Sequence, residues 1–184
     1  MALVVKEVRD PDYTPNGREV AVMQTSRGIV RVELFGAECP RTVGQFVGLA
    51  RDGFYDGLAF HARKEGSVVV GGCPVTRGMS PNQVYQAARG VLHGMHPGTG
   101  EAAARVKDEW AANPKNRHLD GSLVFAHKAA PDSGSCQFYF SLAEQPEFDD
   151  SYTVFGRTVE GLDVVHALRV GDRIERIAIE GATE

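Results

Sequence analysis

The stretch FHARKEGSVVVGGCP, Phe60 to Pro74, sets His61 and Arg63 on strand-forming residues that run into a Gly-Gly turn. Both side chains can donate hydrogen bonds to a bound amide or carbonyl. Neighbours in a strand point to opposite faces, so Arg63 addresses the face that Ala62 does not. A lone histidine in a strand is also a common hydrogen-bonded wall residue. Gln137 and Tyr139, further along, offer a carboxamide and an aromatic ring in a second strand-like run. Two other chemistries are weaker. His93-Gly-Met-His96 lies in a glycine-rich stretch, with His118 or Cys73 as further ligands, but four ligands at recognisable spacing are not there. The reading calls for no metal and no cofactor. Cys39, Cys73 and Cys136 make an odd count without a CxxC pair, and nothing near them spells out a base and its orienter. They read as reduced structural thiols of a reducing compartment.

The elements that must hold these groups come next. A chain of 184 residues, 42% hydrophobic and 24% charged, suits one domain with a sizeable core. A formal charge of −4 argues against nucleic acid as a partner. No apolar run approaches the ~20 residues of a membrane helix, and the first residues are too interrupted by charge for a secretory core. The expected location is the cytoplasm.

Residues 1–18 read as an extended N-terminal arm, and 19–184 as one domain. VAVMQTSRGIVRVELF gives a hairpin, with Val20, Val22, Val30, Val32 and Leu34 alternating about a Ser26-Arg27-Gly28 turn. In PRTVGQFVGLARDG the period changes: Val43, Phe46, Val47 and Ala50 fall at helical spacing. Strands are expected at Leu58–Ala62, Ser67–Val70, Ser122–Ala126, Gln137–Leu142 and Thr153–Val159. A short helix follows at Leu162–Leu168, and RIERIAIEG closes the chain as a last strand. The stretch at about 75–118 is an insertion with a helix-like piece, NQVYQAARGVL. Segments this long between strands are usually functional, and its position after Gly71-Gly72 puts it beside any groove there. Many short antiparallel strands favour closure, which removes exposed edges. The fold class is mainly β: a closed eight-stranded antiparallel barrel capped by two helices, with a long inserted loop.

The order of TSRGIVRVELF, CPRTVGQFVGLARDGFYDGLAFH, VVVGGCP, GSLVFAHKAAPDSGSCQFYFSL and FDDSYTVFGRTVEGLDVV resembles the cyclophilins, the β-barrel class of peptidyl-prolyl cis–trans isomerases. The likeness spans about Val20 to Ile179, and the length of AHKAAPDSGSCQF is similar to that of the bacterial branch. The resemblance implies an enzyme that rotates X-Pro bonds in proline-containing peptides or unfolded proteins, acting as a monomer. The amide barrier is about 18–20 kcal/mol. Lowering it takes an apolar slot for the ring, a donor for the prolyl nitrogen and polar groups for the carbonyl.

Laid on the family pattern F-H-R-V-x-P-x-F-x-x-Q-G-G-D-P, the chain matches at Phe60, His61, Gly71, Gly72 and Pro74. The family's arginine falls on Ala62, its slot-flooring aromatic on Ser67 and its first glutamine on Val70. The second glutamine is kept as Gln137. The resemblance therefore assigns catalysis to His61 and Gln137. It assigns substrate binding to Ala62, Ser67, Val68, Val70, Ala126, His127, Tyr139, Phe148 and Tyr152. Glu147 stands at the rim tryptophan's position. Without the arginine the isomerase is expected to be weak, with Arg77 and Arg89 the nearest replacements by sequence and Arg63 a solvated strand residue. The alternative is a non-catalytic cyclophilin-like module that binds peptides or proteins.

Overall fold

The structure, a computed structural model, describes residues 6–182. Its eight strands are β1 (Val20–Thr25), β2 (Gly28–Leu34), β3 (Ala62–Lys64), β4 (Val68–Gly71), β5 (Ser122–Phe125), β6 (Phe138–Ser141), β7 (Thr153–Glu160) and β8 (Ile174–Glu180). They form one antiparallel sheet in the order β3-β4-β6-β5-β7-β2-β1-β8. Three helices accompany it: α1 (Pro40–Arg51), α2 (Pro81–Ala88) and α3 (Leu162–Ala167). The one beyond the two expected caps, α2, is the helix-like piece of the insertion.

The β1–β2 hairpin shows how pairing sets the phase. Thr25 faces Gly28 across the turn, which puts Ala21 opposite Val32 and Met23 opposite Val30. Those four residues are buried, while Val20 and Val22 are only half-buried. The inward face of β1 is thus one residue out of phase with the expected one. VAVM is apolar on both faces, and the register with β2 decides which goes in.

α1 lays Val43, Phe46, Val47 and Ala50 on the sheet as its spacing predicts. The Phe46 ring meets Tyr55 at 5.2 Å, Phe155 at 5.1 Å and Phe138 at 5.8 Å. The helix has no local cap. Glu109 supplies one from the insertion, accepting from Arg41 N (3.1 Å), Thr42 N (2.8 Å) and Thr42 Oγ1 (2.9 Å), which satisfies amides that would otherwise be orphaned. Described arm residues are docked: Val8 bridges to Arg105, and Tyr13 and Pro11 lie against the bare Cα of Gly44.

Closure differs from expectation. β3 and β8 are the two ends of a curled sheet, and no ladder joins them, so the expected closed barrel is not formed by the strands. A single bridge, Ala59 to Arg173, spans the seam, with Phe60 N donating to Asp172 O and Ile174 N to Leu58 O, each at 2.8 Å. The expected strand at 58–62 is spent on this seam, and regular pairing starts at Ala62. α2 covers it: Met79, Val84 and Ala87 pack on Ala59 with Val75, Leu92 and Val170. The Arg173 guanidinium ties the layers together by donating to Gly57 O and Met79 O.

Candidate functional site

The ladder β3–β4–β6–β5 brings the expected groove residues into rows. Ala62 faces Val70, Val70 faces Tyr139, and Tyr139 faces Val124; two pairs along, Lys64 faces Val68. Intervening residues on β6, Phe138 and Phe140, point into the core. Over this face the 3-10 turn Pro146–Phe148 and the residues after it set an aromatic group. Tyr152 meets Tyr139 and Phe148 edge-on, both at 5.9 Å, and stacks on His127 at 4.4 Å. A His127 ring nitrogen also reaches Ser151 O at 2.7 Å. Ser67 is turned into a polar pair: its Oγ donates to Gln145 Oε1 (3.0 Å), and Gln145 Nε2 donates back to Ser67 O (2.7 Å). Glu147 is exposed beside them.

The Gly-Gly turn has a steric cause. A Cβ on Gly71 would lie 3.0 Å from the Phe60 ring, and one on Gly72, at φ 82°, would lie 2.7 Å from Cys136 O. Only glycine lets β4 leave the sheet this close to the strand that carries Gln137.

Gln137 lines a small depression together with Gly98, Gly100, Ala126, His127 and Ser135 among others. Its amide nitrogen donates to Gly98 O and Gly100 O, each at 2.8 Å, so both N–H groups are held by the insertion and Oε1 is its remaining polar atom. Lys128, Glu101 and Arg105 form an ion-paired edge to that depression. His61 is buried, with its Nε2 3.6 Å from where a Gly98 Cβ would be. Burial pulls its pKa down to about 4, against the opposing pull of the Ala59 backbone and the Gln137 side chain.

Several expected placements change. Arg63 does point away from Ala62, yet it is not solvated: its side chain is 7% exposed, donating to Leu168 O at 3.0 Å and pairing with Glu65. The seam between the sheet ends gives it that cover. Arg77 is held by Phe54 O and Asp56 O, and Arg89 by the Tyr85 hydroxyl and ring. Neither of these bonds leads to Gln137. Among the described residues no cluster of three His, Cys, Asp or Glu could hold a metal. His118, weighed above as a ligand, is instead buried between Asp149 and Tyr139, at 2.8 Å and 3.0 Å.

Sequence reasoning missed Lys64, Asp149 and Gln145, and it considered His118 only as a metal ligand. Lys64 shares the face of Ala62 and makes no side-chain hydrogen bond or ion pair among the described residues; the two-residue period of a strand was signal enough to find it. His118, Asp149 and Gln145 come from loops and carry no local pattern.

The family model described as Cyclophilin type peptidyl-prolyl cis-trans isomerase/CLD matches residues 20–183. The chain belongs to that family. Among curated relatives, the peptidyl-prolyl cis-trans isomerase of Synechococcus elongatus is 38% identical over 161 residues, covering 86% of this chain and 94% of its own. That of Helicobacter pylori strain 26695 is 36% identical over 164 residues, covering 88% and 87%. The peptidyl-prolyl cis-trans isomerase B of Bacillus subtilis is 35% identical over 152 residues, covering 83% and 91%. A Cryptosporidium parvum cyclophilin structure superposes with a TM-score of 0.71 at 21% identity, covering 90% of this chain and 99% of that one, a likeness of fold. Thus the chain is a cyclophilin-type peptidyl-prolyl cis–trans isomerase by family. Among the described residues no helix is long and apolar enough to cross a membrane.

Proposed function

We propose that this cyclophilin binds X-Pro segments across the face of β3, β4, β6 and β5, and isomerises them slowly. The observation that carries this reading is the pairing of the Tyr139, Phe148 and Tyr152 aromatic group with an altered donor position. Tyr139, Phe148, Tyr152, Val68 and Val70 supply apolar surface for a proline ring. Ala126 and His127 offer backbone to an extended peptide, and Gln137 Oε1 and His61 lie beside it. At the arginine's position stands Ala62, exposed and without a polar group. Ser67, occupied by Gln145, gives the slot no aromatic floor.

The cation left on that face is Lys64. It is a point charge on a flexible stem, and lacks the planar fork that makes arginine a well-oriented donor. Transition-state donors work when they are held in advance, and losing one elsewhere costs about 10²–10³ in rate. A turnover reduced by that order is therefore expected. Three buried, unpaired cysteines, with Cys136 pushed up to about 12 by burial, support a reducing compartment such as the cytoplasm.

A protease-free isomerisation assay on a short X-Pro peptide tests the reading. Saturable catalysis well below that of full-pattern relatives is expected. Binding without turnover would favour a peptide-binding module, and neither would remove the groove from this role.

A further inference from the structure

The slot contains a phenol where a hydrocarbon ring would serve the proline better, and the structure shows what becomes of the hydroxyl. Asp149 Oδ1 accepts from both the His118 backbone N (2.7 Å) and the ring Nδ1 (2.8 Å). A carboxylate only accepts, so the imidazole proton sits on Nδ1 and Nε2 presents its lone pair. Tyr139 Oη lies 3.0 Å from Nε2 and donates to that lone pair. The His118 side chain is wholly buried, with its ring stacked near Tyr139 at 6.1 Å and edge-on to Phe148 at 5.9 Å. Oriented hydrogen bonds therefore run from Tyr139 through His118 to Asp149, beneath the slot.

We propose that His118 is a positioning residue for prolyl recognition: held by Asp149, it pins the Tyr139 hydroxyl below the groove so that the ring offers only apolar surface to the substrate proline. This deepens the function proposed above and rests on it. If Nε2 gains a proton it becomes a donor. The phenol oxygen then accepts, and its O–H must turn away, leaving a polar hydrogen without a buried partner where the proline ring packs. The groups facing the chain are Asp149 on Nδ1, Tyr139 on Nε2, Glu147 by charge and Tyr152 across the Tyr139 ring. Burial outweighs the acids and keeps the imidazole neutral below the ordinary histidine range.

The test is a double-mutant cycle on the full chain with a short X-Pro peptide, using His118→Leu, Tyr139→Phe and both together. His118→Leu alone should raise KM roughly five- to thirtyfold, the effect of one unpaired buried hydroxyl, with a smaller change in kcat. In the Tyr139→Phe background the same substitution should leave KM where Tyr139→Phe set it. An equal rise in both backgrounds, or no rise in either, overturns the inference. Should His118→Leu fail to fold, pH replaces it. KM of the unmodified chain should rise as pH falls from 7 towards 5, and KM of Tyr139→Phe should rise less; parallel profiles overturn the inference. Failure of the underlying reading looks different, because then the unmodified chain itself shows no saturation with peptide, and the inference falls with it.

Discussion

Ala62 and Val70 face each other across β3 and β4, Ala62 exposed and Val70 half-buried against the edge of the core, so a longer polar side chain at 62 has open space and one at 70 must keep its stem on that edge. We expect Ala62→Arg with Val70→Gln to raise kcat/KM on an X-Pro peptide by roughly 10²–10³, the scale of one preorganised donor. An unchanged value would locate the chemistry elsewhere. Lys64→Met should lower the slow turnover proposed above while leaving thermal stability within about 0.5 kcal/mol, as for an exposed side chain without partners. Lys64→Arg should preserve it, and equal turnover in all three chains would discharge Lys64 from the site. Adding Ser67→Phe is less simple than the family pattern implies, because it removes the hydroxyl that donates to the buried Gln145 Oε1 and leaves Gln145 only its bond to the backbone carbonyl of residue 67. Arg77→Ala and Arg89→Ala should leave turnover unchanged, since their guanidiniums are engaged by Phe54, Asp56 and Tyr85.

Among the elements, the Gly-Gly turn and α2 make the sharpest predictions. Gly72→Ala forces a side chain into left-handed backbone, worth about 1–2 kcal/mol by itself, and sets its Cβ 2.7 Å from Cys136 O. A loss of at least about 2 kcal/mol in urea unfolding is expected, and a neutral result would mean that the turn relaxes. α2 is held through one face. Val84, fully buried against the seam, should cost about 1–3 kcal/mol when cut to alanine, whereas Tyr85→Ala on its exposed side should change stability little. The insertion does two jobs at once. Its first half seals the gap between β3 and β8, and its Gly98–Gly100 turn holds both N–H groups of Gln137. Removing it would therefore uncover the core as well as alter the groove.

For the whole molecule the acid limb of stability follows from its buried histidines. His61 titrates at about 4 in the fold and near 6.5 when unfolded, so the unfolded chain binds the extra proton between these values. Its contribution is complete above pH 6.5 and is lost as pH falls towards 4, by about 3 kcal/mol over the full interval. His118, also lowered, acts in the same direction. The urea midpoint should fall steadily between pH 7 and pH 4, and His61→Gln should flatten that slope. The exposed ion pairs, such as Arg31 with Glu180, should contribute little to it.

Local pattern alone announced most strands, the amphipathic α1 and the helix inside the insertion, because periods of 2 and 3.6 are written in consecutive residues. The same local order, through its motifs, carried the family and pointed to Ala62 as the position where an arginine is expected. What it could not carry was anything that depends on meeting across the sheet. β1 is apolar on both faces, and only its pairing with β2 chose Ala21 and Met23 for the core. Arg63 looked solvated until the curl of the sheet brought Leu168 O and cover to it. Whether the strands close depends on cumulative twist and on a seam between segments more than a hundred residues apart, which no short window contains. The Asp149–His118–Tyr139 chain joins two loops and a strand, and its partners are chosen by burial: once water is excluded, each polar atom must find another, and tertiary packing alone decides which one it finds.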